Sequence, residues 1–282
     1  MTAYLLPFEK MNGLGNDFVM IERRHLPNGI DEKMLSRLLC DRHFGIGADG
    51  IIIVDLAPTK DADFSWEYYN SNGSLAEMCG NGMRCFAKYV FERGYTEEVT
   101  FSVLTKAGII KPTIEKDTTV TVNMGMPSSK KPAKIIVDSK EFDFTYVEVG
   151  NPHCVIFLDK VINDDDFYTY GPKIEKHERF SNNINVEFAN IVEKNKINCR
   201  VWERGSGATL ACGTGACATL IAAHVNNLSD ASAIVILPGG PLKIWWDKTK
   251  NNVFLNGPTE FSFVGQYSLD VQKVCKSVLK TE

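Results

Sequence analysis

The strongest constraint in this chain is that it says the same thing twice. EMCGNGMRCFAKYV (77–90) and LACGTGACATL (210–220) each place a cysteine, Cys79 or Cys212, before Gly-x-Gly and an apolar run with helical spacing. Other landmarks keep step with them. Gly15-Asn16 lies about sixty residues before Cys79, and Gly150-Asn151 lies about sixty before Cys212. Asn70 stands nine residues before the first cysteine and Glu203 nine before the second. Three landmarks at matched offsets point to a duplicated unit, with the two copies facing one another.

The hydrophobic pattern agrees. In the first half FVMIE (18–22), GIIIVDL (50–56) and FSWEYYN (64–70) read as strands, and DEKMLSRLLCDR (31–42) and GMRCFAKYVFERG (82–94) as helices. The polar, proline-bearing MPSSKKPAK (126–134) then reads as a crossing between domains. The second half repeats the steps, with strands over 146–159 and 183–205, a weaker helix over 165–177 and a helix over 215–227. The expected division is 1–122 plus 267–282 for the domain of Cys79, and 123–266 for the domain of Cys212. The class is α/β (α+β).

Composition narrows the function. A formal net charge of −4 gives no reason to expect nucleic acid as a partner. No apolar run reaches the length of a membrane span and no signal peptide is evident, so the expectation is a cytoplasmic protein without a membrane partner. Eight cysteines are many, but their spacing makes no CxxC knuckle, which argues against a zinc site and against a thiol–disulfide motif. Cys40, Cys154, Cys199 and Cys275 sit among apolar residues and read as small buried hydrophobes. Neither a Walker nor a Rossmann phosphate loop is present, and no lysine stands in a context for pyridoxal phosphate, so no cofactor and no metal are expected.

What remains is the pair of cysteines. A helix that begins just after Cys-Gly-x-Gly leaves backbone N–H groups unpaired, and these favour an anion. A thiol there is expected to ionise below its usual range. One nucleophilic cysteine served by His153 or His43 would leave the second cysteine unexplained. Two thiols facing one ligand suit another reaction, in which one base removes a proton from Cα of an amino acid while an acid delivers one to the opposite face. The helix ends would stabilise charge building on the substrate carboxylate.

These motifs resemble those of the diaminopimelate epimerase family. The resemblance runs through KMNGLGNDFV (10–19), GIGADG (45–50), YNSNGSLAEMCGNGMRC (69–85), GNPHCV (150–155), NINVEF (183–188), ERGSGATLACGTGACA (203–218) and LPGG (237–240). It implies two pseudo-symmetric β-barrel-like domains, each around a central helix, with the active site in the cleft between them. It implies Cys79 and Cys212 as the catalytic acid–base pair, with Gly80, Asn81, Gly213 and Thr214 as the cradle of the reacting carboxylate. By the same resemblance Asn16 lies beside the reacting centre. Asn70, Asn151, Asn185 and Arg204 hold the distal amino-acid end, Glu203 lies close to the amino groups, and His153 shapes the pocket near the second cysteine. The implied partner is a small amino-acid substrate, and a homodimer is the assembly the resemblance allows. Three carboxylates usual in the family are replaced by Asn72, Leu75 and Ala208. That departure keeps open a rival substrate, histidine or another amino acid, inverted by the same two thiols. A binding protein that kept the fold without the chemistry is a further alternative, disfavoured because both cysteines are present.

Overall fold

A computed structural model describes residues 4–56 and 60–275. The chain divides into two compact units, Met1–Val120 with Thr259–Glu282, and Thr121–Pro258. The expected boundary between 266 and 267 falls inside one strand, Glu260–Leu269, which pairs with Tyr4–Gly13 from Leu269 to Glu260. Residues 276–282, part of the same expectation, lie outside the described residues.

In the first unit the strand Tyr4–Gly13 pairs antiparallel with Asn16–Glu22 through the Leu14-Gly15 turn, where both residues take positive φ. Asn16–Glu22 then runs parallel to Gly50–Asp55, a pairing that needs a crossover. Helix α1, Glu32–Cys40, supplies it, capped by Asp31, whose carboxylate accepts from the Lys33 and Met34 amides at 2.9 and 3.2 Å. Gly50–Asp55 pairs antiparallel with Phe64–Asn70, which carries the short strand Leu75–Ala76 at its side. Phe64–Asn70 is in turn parallel to Val103–Thr105, and the crossover between them holds helix α2, Gly80–Glu92. Met83, Phe86, Ala87 and Val90 are fully buried, so α2 is the core helix of this unit.

The second unit runs the same course. Lys140–Glu148 pairs antiparallel with Pro152–Phe157, and Pro152–Phe157 parallel with Asn185–Glu193 across helix α3, Asp164–Glu175. Asn185–Glu193 pairs antiparallel with Lys196–Glu203, which carries Gly207–Thr209 at its side. Lys196–Glu203 is parallel to Ser232–Leu237 across helix α4, Gly213–Val225. Ala216, Ala218, Leu220, Ala222 and Ala223 of α4 are fully buried. A helix apolar all round has no face for water, and this one packs against strands across the sheet, from Lys140–Glu148 to Asn252–Gly257. Each Gly-Asn landmark therefore falls in the hairpin that leads into the first crossover of its unit, and each cysteine opens the second crossover helix.

One expectation is overturned. The domains are not barrels, because among the described residues neither sheet returns to pair its last strand with its first. Closure needs end strands long enough to share a hydrogen-bonded seam. The first sheet ends in ten-residue Glu260–Leu269 and three-residue Gly108–Ile110, and one end of the second is the two-residue Ser128–Ser129. Each sheet is open and mixed, and its apolar face is covered by a helix.

Candidate active site

Cys79 is the N-cap of α2. Its backbone is extended, and its Sγ accepts the Gly82 amide at 3.4 Å. The sulfur thus does what a serine or aspartate oxygen usually does at a helix start. Gly82 allows it: a Cβ there would come within 3.1 Å of Ile52 and 3.2 Å of Trp66. The thiol lies 3.9 Å from Asn16 Oδ1, which also accepts from Asn81 Nδ2 at 3.1 Å. Asn81 Oδ1 accepts in turn from the buried Arg84 Nη1 at 2.9 Å.

Asn16 is held from behind. Its Nδ2 donates to Asp49 Oδ2 at 2.7 Å. Arg42 bridges Asp49 (3.0 Å) and Asp17 (2.9 and 3.2 Å), and buried Lys10 pairs with Asp17 at 2.7 Å. This network fixes the Asn16 carboxamide with its oxygen toward the thiol. Asn70, at the end of Phe64–Asn70, spends Nδ2 on Ser74 Oγ at 2.9 Å, and Asn72 Oδ1 accepts the Ser74 amide at 2.8 Å. Asn72 is therefore a turn residue here.

The second unit repeats the geometry. Cys212 is the N-cap of α4, its Sγ accepting the Gly215 amide at 3.3 Å with Thr214 Oγ1 at 3.5 Å. The thiol is buried, and for Cys212 the expectation of a thiol ionising below its usual range does not hold. Burial pushes Cys212 well above that range, and the charges of Glu203 and Glu187 push the same way. The hydrogen bonds from Thr214 and the Gly215 amide act against this and are the smaller effect. Glu203 accepts from Thr209 Oγ1 at 2.6 Å, and burial raises its carboxyl above the ordinary value.

His153 is fully buried between two partners, Glu187 Oε1 at 2.7 Å from Nδ1 and Asn151 Oδ1 at 2.8 Å from Nε2. Asn185 ties three segments together, donating to the Pro152 carbonyl and accepting the Arg204 amide, both at 2.9 Å. Arg204 is exposed, on a turn pinned by Glu175, which accepts from Gly205 N at 2.9 Å and Trp202 Nε1 at 2.8 Å.

The sequence candidates thus gather into two clusters: Asn16, Cys79, Gly80 and Asn81 in one unit, and Asn151, His153, Asn185, Glu203, Arg204, Cys212, Gly213 and Thr214 in the other. Asn70 lies at a strand end in the first unit, bonded to its own turn. Sequence reasoning passed over Asp49, Thr209, Glu175 and Glu187. The alternation in NINVEF, with Glu187 two places after Asn185 and so on the same face of the sheet, was a signal for the last. Among the described residues no three His, Cys, Asp or Glu side chains are arranged to hold a metal ion.

The family model described as diaminopimelate epimerase matches residues 8–130 and 145–262. A diaminopimelate epimerase of a Cyanothece species is 42% identical over 278 residues, which covers 92% of this chain and 99% of the relative. The chloroplastic diaminopimelate epimerase of Oryza sativa subsp. japonica is 41% identical over 284 residues, covering 92% of this chain and 79% of the relative. Among solved structures, a hydroxyproline epimerase from Agrobacterium vitis aligns over 95% of this chain and 93% of its own, with a TM-score of 0.72 at 14% identity. A phenazine biosynthesis protein of Bacillus anthracis aligns over 95% and 100%, with a TM-score of 0.71 at 14% identity. At such identities the likeness is one of fold.

Proposed function

From the premise that this chain belongs to the diaminopimelate epimerase family, we propose how its residues divide the work of inverting an amino-acid stereocentre. The protein is an amino-acid epimerase that works without pyridoxal phosphate, and its reaction is the interconversion of LL- and meso-diaminopimelate. The rival substrate, histidine, loses its footing, since the relatives matched along almost their whole length are diaminopimelate epimerases.

Inversion by proton transfer requires a base at one face of Cα and an acid at the other. Cys79 and Cys212 are those two groups, exchanging roles with the direction of reaction. The observation that carries this reading is that both sulfurs cap buried helices and both accept the amide three residues on, Gly82 or Gly215. Each sulfur therefore sits where the helix N-terminus favours negative charge.

The backbone N–H groups of the first turns, around Gly80 and Asn81 and around Gly213 and Thr214, receive the reacting carboxylate. There they stabilise the charge that grows as the proton leaves. Asn16 lies beside the reacting centre. Asn70, Asn151, Asn185 and Arg204 take the distal amino-acid head, Arg204 gripping its carboxylate in two-pronged fashion. Glu203 receives an ammonium group, which would also offset the charge that holds the Cys212 proton in place. His153 supports the pocket of the second cysteine.

Single replacements test the assignment. Cys79→Ala and Cys212→Ala should each lower kcat/KM by about 10²–10⁴ in both directions, far more than the loss of a helix cap lowers stability. A variant retaining more than a tenth of the wild-type rate in both directions would remove that cysteine from the mechanism.

A further inference from the structure

Glu187 is fully buried on the strand Asn185–Glu193, and its Oε2 has no hydrogen-bond partner among the described residues. Its Oε1 lies 2.7 Å from His153 Nδ1, while His153 Nε2 lies 2.8 Å from Asn151 Oδ1. The start of α4 rests on the same carboxyl group: a Cβ on Gly215 would meet Glu187 Oε1 at 2.8 Å and Cys212 Sγ at 3.2 Å. All these groups belong to one unit.

The donor and acceptor inventory restricts how protons are placed. An imidazole between two oxygen acceptors must carry its proton on Nε2, because only an N–H satisfies the Asn151 oxygen. Nδ1 then either donates to a Glu187 carboxylate or accepts from a Glu187 carboxylic acid. In both cases the trio holds one proton more than a neutral histidine beside a carboxylate, and its net charge is zero.

The reversed arrangement would have the Asn151 NH2 donating to a bare Nε2. It would leave a full negative charge fully buried, with one oxygen unpaired and Glu203 close by, a costly state. Burial raises the Glu187 carboxyl above its ordinary value, in keeping with a trio that holds its proton. His153, Cys154, Cys199, Glu203 and Cys212 are the titratable groups around Glu187.

We propose that Glu187 is a positioning residue for substrate. Through His153 it locks the Asn151 carboxamide with its carbonyl inward and its NH2 outward, so that Asn151 meets the ligand only as a donor and selects a carboxylate. The last step rests on the reading of Asn151 as a substrate contact given above. Gly150, with a φ of +75°, sets the turn from which Asn151 reaches back to His153.

Nitrogen-15 NMR of the full chain with labelled histidine reads the lock without any substrate, using His153→Gln to assign the resonance. A protonated Nε2 at neutral pH is expected, and a bare Nε2 with the proton on Nδ1 overturns the proposal. Steady-state kinetics read its consequence. Glu187→Ala, which frees His153, should raise KM for diaminopimelate about tenfold or more with kcat within about threefold, the loss of one well-aligned hydrogen bond. Glu187→Gln, whose NH2 can still donate to Nδ1, should restore most of that loss. Asn151→Asp keeps an acceptor for His153 but turns an oxygen outward, and should bind substrate still more weakly than Glu187→Ala.

An unchanged KM in Glu187→Ala or Asn151→Asp overturns the proposal, and Asn151→Asp keeps it testable if Glu187→Ala does not fold. A protonated Nε2 together with a normal KM in Asn151→Ala would retire Asn151 as a substrate contact, and with it the selection of a carboxylate, while leaving the orientation chain standing.

Discussion

At the scale of single residues, charged groups behind the site orient the amides in front of it. Asp49 receives Nδ2 of Asn16 and so aims the Asn16 oxygen at Cys79, which makes that oxygen an acceptor for the thiol proton. Asp49→Asn would let the Asn16 amide turn over. The expected result is a drop in kcat/KM of about 10–150-fold, the worth of one hydrogen bond involving a charged group, read by steady-state kinetics. The cysteines, the asparagines and the Gly-x-Gly turns were legible in the sequence because they sit in long motifs. Asp49 and Glu187 were not, because what matters about them is a partner far along the chain: Asn16 is 33 residues from Asp49, and His153 is 34 from Glu187. The ionisation of Cys212 was misjudged for a related reason. A helix start can be read from local sequence, whereas the burial that outweighs it comes from the strands packed around α4.

At the scale of elements, the helix starts are the working parts. Gly215→Ala would drive a methyl group against Glu187 and the Cys212 sulfur, at 2.8 and 3.2 Å, so activity should fall well before stability does. Asp31→Ala makes the opposite case. It removes the cap of α1, away from both thiols, and should cost about 1 kcal/mol. That corresponds to a shift in Tm of about 2–4 °C, visible by calorimetry, with kcat/KM unchanged. The crossover helices were legible from periodicity and from glycines at their starts. The barrel was not, because the sequence pattern says which strands exist but not whether the end strands are long enough to close a seam. Strand ends such as Gly108–Ile110 and Ser128–Ser129 are too short to announce themselves by alternation.

At the scale of the whole molecule, one plan used twice places one capped thiol in each unit. Such a fold stores several protonated sulfurs, and this sets a pH limit. Burial raises Cys40 to about 11 and Cys85 to about 12, whereas an unfolded thiol titrates near 8.5. The folded state therefore holds these protons more tightly, so their stabilisation is complete below about 8.5 and is lost as pH rises toward 11 and 12. The Tm of the reduced protein should decline over that range, and less steeply in Cys40→Ala. A flat profile would mean these thiols are not buried as described. The twofold repeat was the most legible feature of all, since matched offsets survive where local propensities blur. The central claim is that two different thiols serve the two faces of Cα, and the direct measurement is deuterium incorporation in D2O. Reduced protein without added cofactor would be given LL-diaminopimelate, and deuterium at Cα would be followed through the first turnovers. Two single-proton thiols predict deuterium in the meso product from the start, while unreacted LL substrate keeps its protium. Equal labelling of substrate and product would point to one base serving both faces and would contradict the account.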